Sequence, residues 1–241
     1  MPSRERGRGR SAMTEVRFTP IEARPESLAD MVYDAIRRLV MDKTLPPGSR
    51  VSENALAERL GVSKTPVREA MLRLRQIGVI QSDGVRGGRV ARPSRTAIRQ
   101  AYEIREALEV HAVRSATARR CAADLERIRD AAESSLECAR AGDQEGFREH
   151  DFAFHRSIAA AAGNPRLTQL IEDVLTLIVT LRQRDFPGLQ AAVECGHAHV
   201  RIADAMARDD LEGAEASARE HIRQVEGYVL AGPGLTTDHS Q

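Results

Sequence analysis

The segment 52–71 is the feature that most restricts the fold of this chain. Its sequence predicts two short helices, one on each side of a turn that begins at Gly61. Ser52 can cap the first helix, and Gly61 can end it because glycine adopts the left-handed conformation without strain. We expect Thr65 to cap the second helix, with Pro66 at its first position. Two capped helices joined by so short a turn predict a helix-turn-helix.

The second of these helices has an apolar face and a polar face. The apolar residues recur at helical spacing, at Val67, Ala70, Met71, Leu74 and Ile77. The opposite face carries Thr65, Arg68 and Arg75, with Leu72 as its apolar exception. A helix with a buried back and a basic, hydroxyl-bearing front suits the major groove of DNA.

Short strands are expected on both sides of a basic, glycine-rich connection after this helix. Residues 79–81 and 86–92 have the composition of such a hairpin. Residues 26–43 carry apolar side chains at helical spacing and predict a supporting first helix. Together these elements predict a winged helix-turn-helix domain over residues 25–92.

The run 47–91 resembles the winged helix-turn-helix of the GntR family of bacterial transcription regulators. It carries the family signature as Ser-Glu and Leu-Ala pairs at 52–57, followed by Gly-Val-Ser-Lys-Thr-Pro-Val-Arg-Glu-Ala at 61–70. Lys64 departs from the usual arginine, and lysine contacts phosphate better than it reads guanine. The resemblance implies a homodimer on two-fold symmetric operator DNA. The DNA contacts that it implies are Ser63, Lys64, Thr65 and Arg68, with Gly87 or Gly88 at the wing tip.

Charge is distributed unevenly along the chain. Residues 1–92 hold 18 Lys and Arg against 11 Asp and Glu, a net +7, whereas residues 93–241 hold 18 against 24, a net −6. A basic N-terminal part and an acidic C-terminal part place the attraction for phosphate at one end of the molecule.

Residues 93–231 show no convincing strand pattern and predict an all-helical bundle. The expected helices cover 94–121, 124–141, 143–162, 165–185, 190–208 and 210–230. The fold class is therefore mainly α, with a winged helix-turn-helix followed by the bundle. The tails at 1–24, which is basic, and at 232–241 are expected to be disordered or flexible.

Four polar side chains stand where the bundle helices should be apolar. Asp151 and His155 lie one turn apart, His199 is on a later helix and His221 is on the last. Each would cost about 1 to 3 kcal/mol if buried without a partner. Three imidazoles and a carboxylate converging from three helices suit a divalent transition metal. Zinc is the metal that fits best, and nickel and manganese are alternatives. Any single histidine could instead be a hydrogen-bonded core residue. His197 is close enough to His199 to be a rival ligand.

The same region resembles the FCD ligand-binding domain of the FadR subfamily within the GntR regulators. The shared motifs are Arg105-Glu106-Ala107-Leu108-Glu109, Asp151-Phe152-Ala153-Phe154-His155 and Asn164-Pro165, followed by His199 and His221. In metal-binding members an Asp and three His at these places hold a zinc, nickel or manganese-type ion, and all four are present here. The usual Glu-His pair reads Ala198-His199, a departure that leaves the ligand intact.

A metal held by one Asp and three neutral His keeps a net positive charge of about one and open coordination positions. Such a site can receive a small carboxylate. Arg105 is expected on the buried side of its helix, where it could clamp the same anion. The alternative is that Arg105 pairs with Glu109.

These features favour a metabolite-responsive transcription regulator, a repressor by the commoner pattern in the family, that is not an enzyme. The effector would act on the DNA-binding domains through the long helix at 94–121. The alternative is a metal-dependent hydrolase or other metalloenzyme fused to a DNA-binding domain. Three cysteines without a C-x-x-C pair predict that the protein lies in a reducing cytoplasm. DNA binding would place it at the nucleoid. No segment predicts a membrane partner.

Overall fold

The computed structural model describes residues 27–83, 87–182 and 188–232, together with Leu235. Of the predicted tails at 1–24 and 232–241, only Gly232 and Leu235 are among the described residues. Within them the chain forms nine helices and one small sheet. The first part contains α1 (Leu28–Met41), β1 (Arg50–Val51), α2 (Glu53–Leu60), α3 (Lys64–Gln76), β2 (Ile80–Gln81) and β3 (Gly88–Val90).

The sheet is antiparallel with the order β1-β3-β2. Arg89 of β3 lies opposite Arg50 on one side and Gln81 on the other. The hairpin of β2 and β3 confirms the predicted wing. The strand β1 is an addition, because two residues are too short to show a strand pattern in the sequence.

The helix-turn-helix forms where the sequence predicts it, but α3 begins earlier than expected. Its N-cap is Ser63, not Thr65, and neither Ser63 nor Ser52 makes a side-chain cap hydrogen bond. Pro66 is therefore the third helical residue, a position whose N–H has no acceptor inside the helix, so proline costs nothing there. Gly61 ends α2 in the left-handed conformation, with φ at 65°.

The apolar face of α3 packs into the core of the winged domain. Val67, Ala70, Met71 and Leu74 are buried there together with Ile36 of α1, while Ile77 is only partly buried. Leu72 is exposed, as its place on the polar face predicts.

The second part of the chain is all helical in the residues described. Its helices are α4 (Arg95–Arg119), α5 (Ala122–Ala141), α6 (Gln144–Ala161), α7 (Pro165–Leu181), α8 (Leu189–Ala207) and α9 (Leu211–Ala231). These bounds agree with the prediction to within two residues, except that α7 ends four residues early. Helix α5 packs against α6 and α8, and α4 packs against α9. None of the helices in the described ranges combines the length and apolar character needed to cross a membrane.

Helices α1 and α7 join the two parts of the molecule. Tyr33 donates a hydrogen bond to Asp173 at 3.4 Å, and Arg37 donates from Nε to the hydroxyl of Thr176 at 2.9 Å. Leu177 packs against both the winged-domain core and the bundle core. One face of α7 therefore carries the contact between the helix-turn-helix and the helical domain.

Candidate functional site

The bundle brings all four predicted ligands together. Helix α6 supplies Asp151 and His155, α8 supplies His199 and α9 supplies His221. Oδ1 of Asp151 lies 3.8 Å from Nε2 of His155 and 3.6 Å from Nε2 of His199. The ring centroid of His221 is 4.8 Å from that of His199 and 5.4 Å from that of His155. The three imidazoles are buried and one ligand atom of each lies within 4.8 Å of the others, a spacing suited to one ion.

Electrostatics favour the metal-binding protonation states of Asp151, His199 and His221. Burial, with the neighbouring His155 adding to it, lowers the pKa of His199 to about 3. Burial also lowers the pKa of His221 well below its ordinary value. Burial acts to raise the pKa of Asp151, but His155, His199 and nearby arginines outweigh it and hold that pKa low. At neutral pH Asp151 therefore offers an ionised carboxylate, and His199 and His221 offer imidazole lone pairs.

His155 lies between a carboxylate and a guanidinium, both from α4. Its Nδ1 lies 2.7 Å from Oε2 of Glu109, and its Nε2 lies 2.8 Å from Nη2 of Arg105. Because a guanidinium can only donate, Nε2 is the acceptor and Nδ1–H donates to Glu109. Arg105 also donates from Nε to Glu109 at 2.7 Å, so the structure shows the pairing that was the alternative for this arginine. Burial acts against ionised Glu109, yet Arg105 and His155 hold the pKa of Glu109 at about 2.

A hydroxyl orients His199. Ser135 donates from Oγ to the carbonyl of Ala132 at 2.7 Å, and the same Oγ lies 3.0 Å from Nδ1 of His199. The hydroxyl proton is used on the carbonyl, so Nδ1–H of His199 donates to Ser135. This tautomer leaves the Nε2 lone pair of His199 facing Asp151, as a metal ligand requires.

His221 carries a buried nitrogen that is not hydrogen-bonded. Its Nε2 has no partner among the described residues, although the side chain is only 1% exposed. A buried acceptor or donor left in this way costs about 1 to 3 kcal/mol. The donor set, the oriented tautomers and this orphaned nitrogen all fit a bound transition metal.

Cys195 also lies in the cluster, although it is not among the predicted ligands. Its Sγ is 3.7 Å from Oδ1 of Asp151, 3.6 Å from Nε2 of His199 and 4.0 Å from Nδ1 of His221. The signal in the sequence is its spacing, since Cys195 precedes His199 by four residues and so shares its helix face. Burial raises the pKa of the Cys195 thiol well above its ordinary value.

A cavity of about 560 Å³ leads from the cluster to the junction of the two domains. Asp151, Arg105 and Arg182 line it on the bundle side, and Arg37 and Arg38 of α1 line it on the side of the winged domain. Its volume is that of a small-molecule site. A ligand in this cavity would meet Asp151 and Arg105, which contact the histidines, and also α1, the helix that supports the DNA-binding fold.

The predicted DNA-contacting residues of α3 lie on its open face. Ser63, Lys64 and Thr65 are exposed, and the side chain of Arg68 is 57% exposed with its Nε 3.4 Å from Glu53. The solvent thus reaches all four side chains at the N-terminal end of the helix.

Arg75 has a structural role instead. It donates from Nη2 to the carbonyl of Gly87 at 2.7 Å and lies 3.8 Å from Glu53. It therefore ties α3 to the wing. Gly88 is the first residue of β3 and Gly87 directly precedes it, while residues 84–86 lie outside the described part of the chain.

The two wing glycines are required by the packing of the sheet. Gly87 has φ at 146°, and a Cβ added there would lie 2.6 Å from the carbonyl oxygen of Val51. A Cβ on Gly88 would lie 2.6 Å from the carbonyl oxygen of Gln81. Both positions thus need glycine whether or not they contact DNA.

The winged helix-turn-helix and the helical domain that follows it define a bacterial transcription regulator. The model of bacterial regulatory proteins of the gntR family matches residues 28–90, and the FCD domain model matches residues 100–224. The chain belongs to the GntR family, as a member of the FadR type that carries an FCD domain.

Curated relatives and a solved structure agree with this assignment. The chain is 34% identical over 200 residues to a probable D-xylose utilization operon transcriptional repressor of Paenarthrobacter nicotinovorans, covering 81% of this chain and 86% of the relative. It is 31% identical over 217 residues to the transcriptional regulator LutR of Bacillus subtilis, covering 80% and 97%. The structure of E. coli McbR/YncC shares the fold, with a TM-score of 0.71 at 24% identity over 83% of this chain and 95% of that one.

Proposed function

We propose that this regulator is a metabolite-responsive repressor whose FCD domain binds a divalent metal and a small carboxylate. The observation that carries the proposal is the shared cavity, in which Asp151 and Arg105 face Arg37 and Arg38 of the winged domain. Occupation of such a cavity changes contacts in both domains at once. That is the requirement for coupling effector binding to DNA binding.

The proposed metal ligands are Asp151, His155, His199 and His221. Zinc is favoured because it readily binds imidazole and carboxylate ligands, and nickel and manganese are the other candidates. Glu109 and Ser135 hold His155 and His199 in ligand orientations, as metal-binding histidines generally require. When bound, the ion offers a positive centre for an anionic ligand.

Arg105 is the proposed second anchor for the carboxylate. Its Nη2 donates a hydrogen bond to the single Nε2 lone pair of His155. Once that lone pair is used for the ion, Arg105 has a free N–H for a carboxylate oxygen, while Glu109 keeps the guanidinium in place. Arg182, which donates to the hydroxyl of Tyr102 at 2.7 Å, lines the same cavity and adds positive charge.

The route to the DNA-binding domain runs through α1 and α7, together with α4, on which Arg105 lies. Arg37 lines the cavity and also bonds Thr176 of α7. A ligand that moves Arg37 therefore alters the contact on which the winged domain rests. In a homodimer on a two-fold operator, a small rotation of each winged domain changes the spacing of the two recognition helices.

The proposed DNA contacts are Ser63, Lys64, Thr65 and Arg68 of α3, with Gly87 or Gly88 of the wing. The first four are exposed on one end of the helix, where base edges and phosphates are reached. A repressor is favoured over an activator because the relative from Paenarthrobacter nicotinovorans is named as one. Since its target is chromosomal DNA, we place the protein at the nucleoid in the cytoplasm.

The hydrogen bonding and low pKa of Glu109, the carboxylate beside the proposed ligands, favour a regulator over a metalloenzyme. Glu109 is already bonded to both Arg105 and His155, and its pKa of about 2 makes it a poor general base at neutral pH. The curated relatives are regulators as well.

The test is to incubate the zinc-loaded protein with a panel of small mono- and dicarboxylates. We expect one class to raise the unfolding temperature without being consumed, and the same class to release operator DNA selected from random duplexes. If chelation of the metal abolishes this increase in unfolding temperature, the result supports the proposed metal site. Turnover of a panel member, followed by chromatography, would contradict a purely sensory function.

A further inference from the structure

The thiol of Cys195 lies in contact with the proposed metal ligands, which a role in core packing alone does not require. It is only 2% exposed, and its Sγ touches two of the proposed ligands, Asp151 and His199. The unpartnered Nε2 belongs to His221, whose Nδ1 lies 4.0 Å from the same sulfur. Cys195 therefore lies within the ligand cluster and not beside it.

The distances among these donors are those of a shared coordination sphere. Metal–sulfur and metal–nitrogen bonds of about 2.3 and 2.0 to 2.1 Å at tetrahedral angles place sulfur about 3.6 Å from nitrogen. Sγ of Cys195 is 3.6 Å from Nε2 of His199 and 3.7 Å from Oδ1 of Asp151. The third edge, from Asp151 to His199, is 3.6 Å. One ion can therefore meet all three donors with little change in their positions.

We infer that Cys195 is a direct thiolate ligand of the metal in this FCD domain. The inference rests on the proposed function, since it concerns the same ion. On binding, the S–H bond breaks, the proton passes to solvent, and a sulfur lone pair forms the bond to the ion. No electron is transferred, so neither an oxidant nor a reductant is needed.

A thiolate ligand narrows the choice of metal. Thiolate favours zinc and other borderline or soft ions, whereas manganese and magnesium prefer oxygen donors. Cys195 thus favours zinc, and cobalt(II) as its spectroscopic substitute, over manganese.

The same ligand changes what attracts the effector. One carboxylate and one thiolate neutralise a divalent ion, so the net charge of about +1 expected for Asp and three His falls to zero. The attraction for a carboxylate then comes mainly from Arg105 and Arg182, which line the cavity. Replacement of Cys195 by a neutral side chain should restore positive charge to the metal itself.

The test is spectroscopy of the full chain loaded with cobalt(II) and, separately, with zinc. Cysteine ligation to cobalt(II) produces an intense sulfur-to-metal charge-transfer absorption in the near ultraviolet, and X-ray absorption of the zinc form reports a sulfur neighbour at about 2.3 Å. The matched control is the double variant Cys121→Ser/Cys138→Ser, in which Cys195 is the remaining thiol. The second variant is Cys195→Ser.

We expect both sulfur signatures in the native chain and in the double variant, and neither in Cys195→Ser. Metal bound stoichiometrically without a sulfur neighbour would overturn the thiolate ligand and leave the proposed metal site standing. Failure of the native chain to bind metal at all would overturn both. If Cys195→Ser does not fold, the zinc–sulfur distance in the double variant still decides the matter.

Discussion

Arg105 donates a hydrogen bond to Nε2 of His155 at 2.8 Å, with both side chains buried in the centre of the helical domain. The arginine thereby occupies the lone pair that the proposed metal would use. His155 keeps its ring orientation in either case because Glu109 accepts from Nδ1. In our proposal, metal binding therefore changes the partner of Arg105 and makes it available to the effector.

Arg105→Ala should destabilise the protein strongly. It leaves the ionised Glu109 buried beside His155 without its counter-ion, which costs about 3 to 5 kcal/mol. The free energy of unfolding, measured by chemical denaturation of metal-free protein, is the readout. The double variant Arg105→Met/Glu109→Gln removes both charges but keeps an acceptor for Nδ1–H of His155, so it should recover most of the loss. A single variant as stable as the native protein would show that the pair is not buried and coupled as the structure has it.

Arg68→Ala should weaken binding to operator DNA without affecting dimerisation. Arg68 is exposed at the N-terminal end of α3, and removal of one phosphate contact lowers the slope of log affinity against log salt by about 1. The neighbouring exposed Glu69→Ala serves as the control, since it removes no positive charge. Fluorescence anisotropy at several salt concentrations gives the slope. Equal slopes for Arg68→Ala and the native protein would remove Arg68 from the DNA contacts.

Arg37→Ala should uncouple the effector from the DNA. The substitution removes the hydrogen bond to Thr176 and the stacking of the guanidinium over Phe152, at 5.1 Å from the ring centroid. Loss of such a contact changes coupling by about 0.5 to 2 kcal/mol. Metal content should stay unchanged, while carboxylates from the panel release operator DNA less effectively. Arg127→Ala, an exposed position on α5, is the control, and an identical response from both variants would argue against the α1–α7 route.

Gly88→Ala should damage the wing. Its Cβ would lie 2.6 Å from the carbonyl oxygen of Gln81, so β2 and β3 must separate, and overpacking of this kind costs about 1 to 3 kcal/mol. Operator affinity should fall in parallel. Gly142→Ala gives the comparison, because its Cβ meets nothing within 4 Å and only the left-handed φ of 74° is strained. Gly142→Ala should leave DNA affinity intact; a matching loss in both variants would point to general destabilisation.

Much of this arrangement is predictable from local patterns. The periodic apolar residues of α3 and the glycine at 61 depend only on neighbouring residues, and the structure confirms them. The predicted N-cap of α3, Thr65, was wrong by two residues, since Ser63 and Thr65 are both good caps and proline tolerates any position in the first turn.

Contacts between distant helices are harder to predict. The sequence suggests that Asp151, His155, His199 and His221 converge, because each is polar on an apolar face. For Cys195 the sequence gives only the spacing of four residues from His199, a weaker signal because a thiol is an ordinary core residue. The sequence does not show that Arg105 bonds His155, which depends on the packing of α4 against α6. The same holds for the cavity between α1 and α7.

The metal content of the purified chain tests the central claim most directly. Elemental analysis after equilibration with zinc should find about one ion per chain in the native protein and in His197→Ala, an exposed histidine on α8. His199→Ala should lose most of the bound metal, because it removes an oriented ligand from the centre of the cluster. Metal at the native level in folded His199→Ala, or no metal in the native protein, would contradict the account.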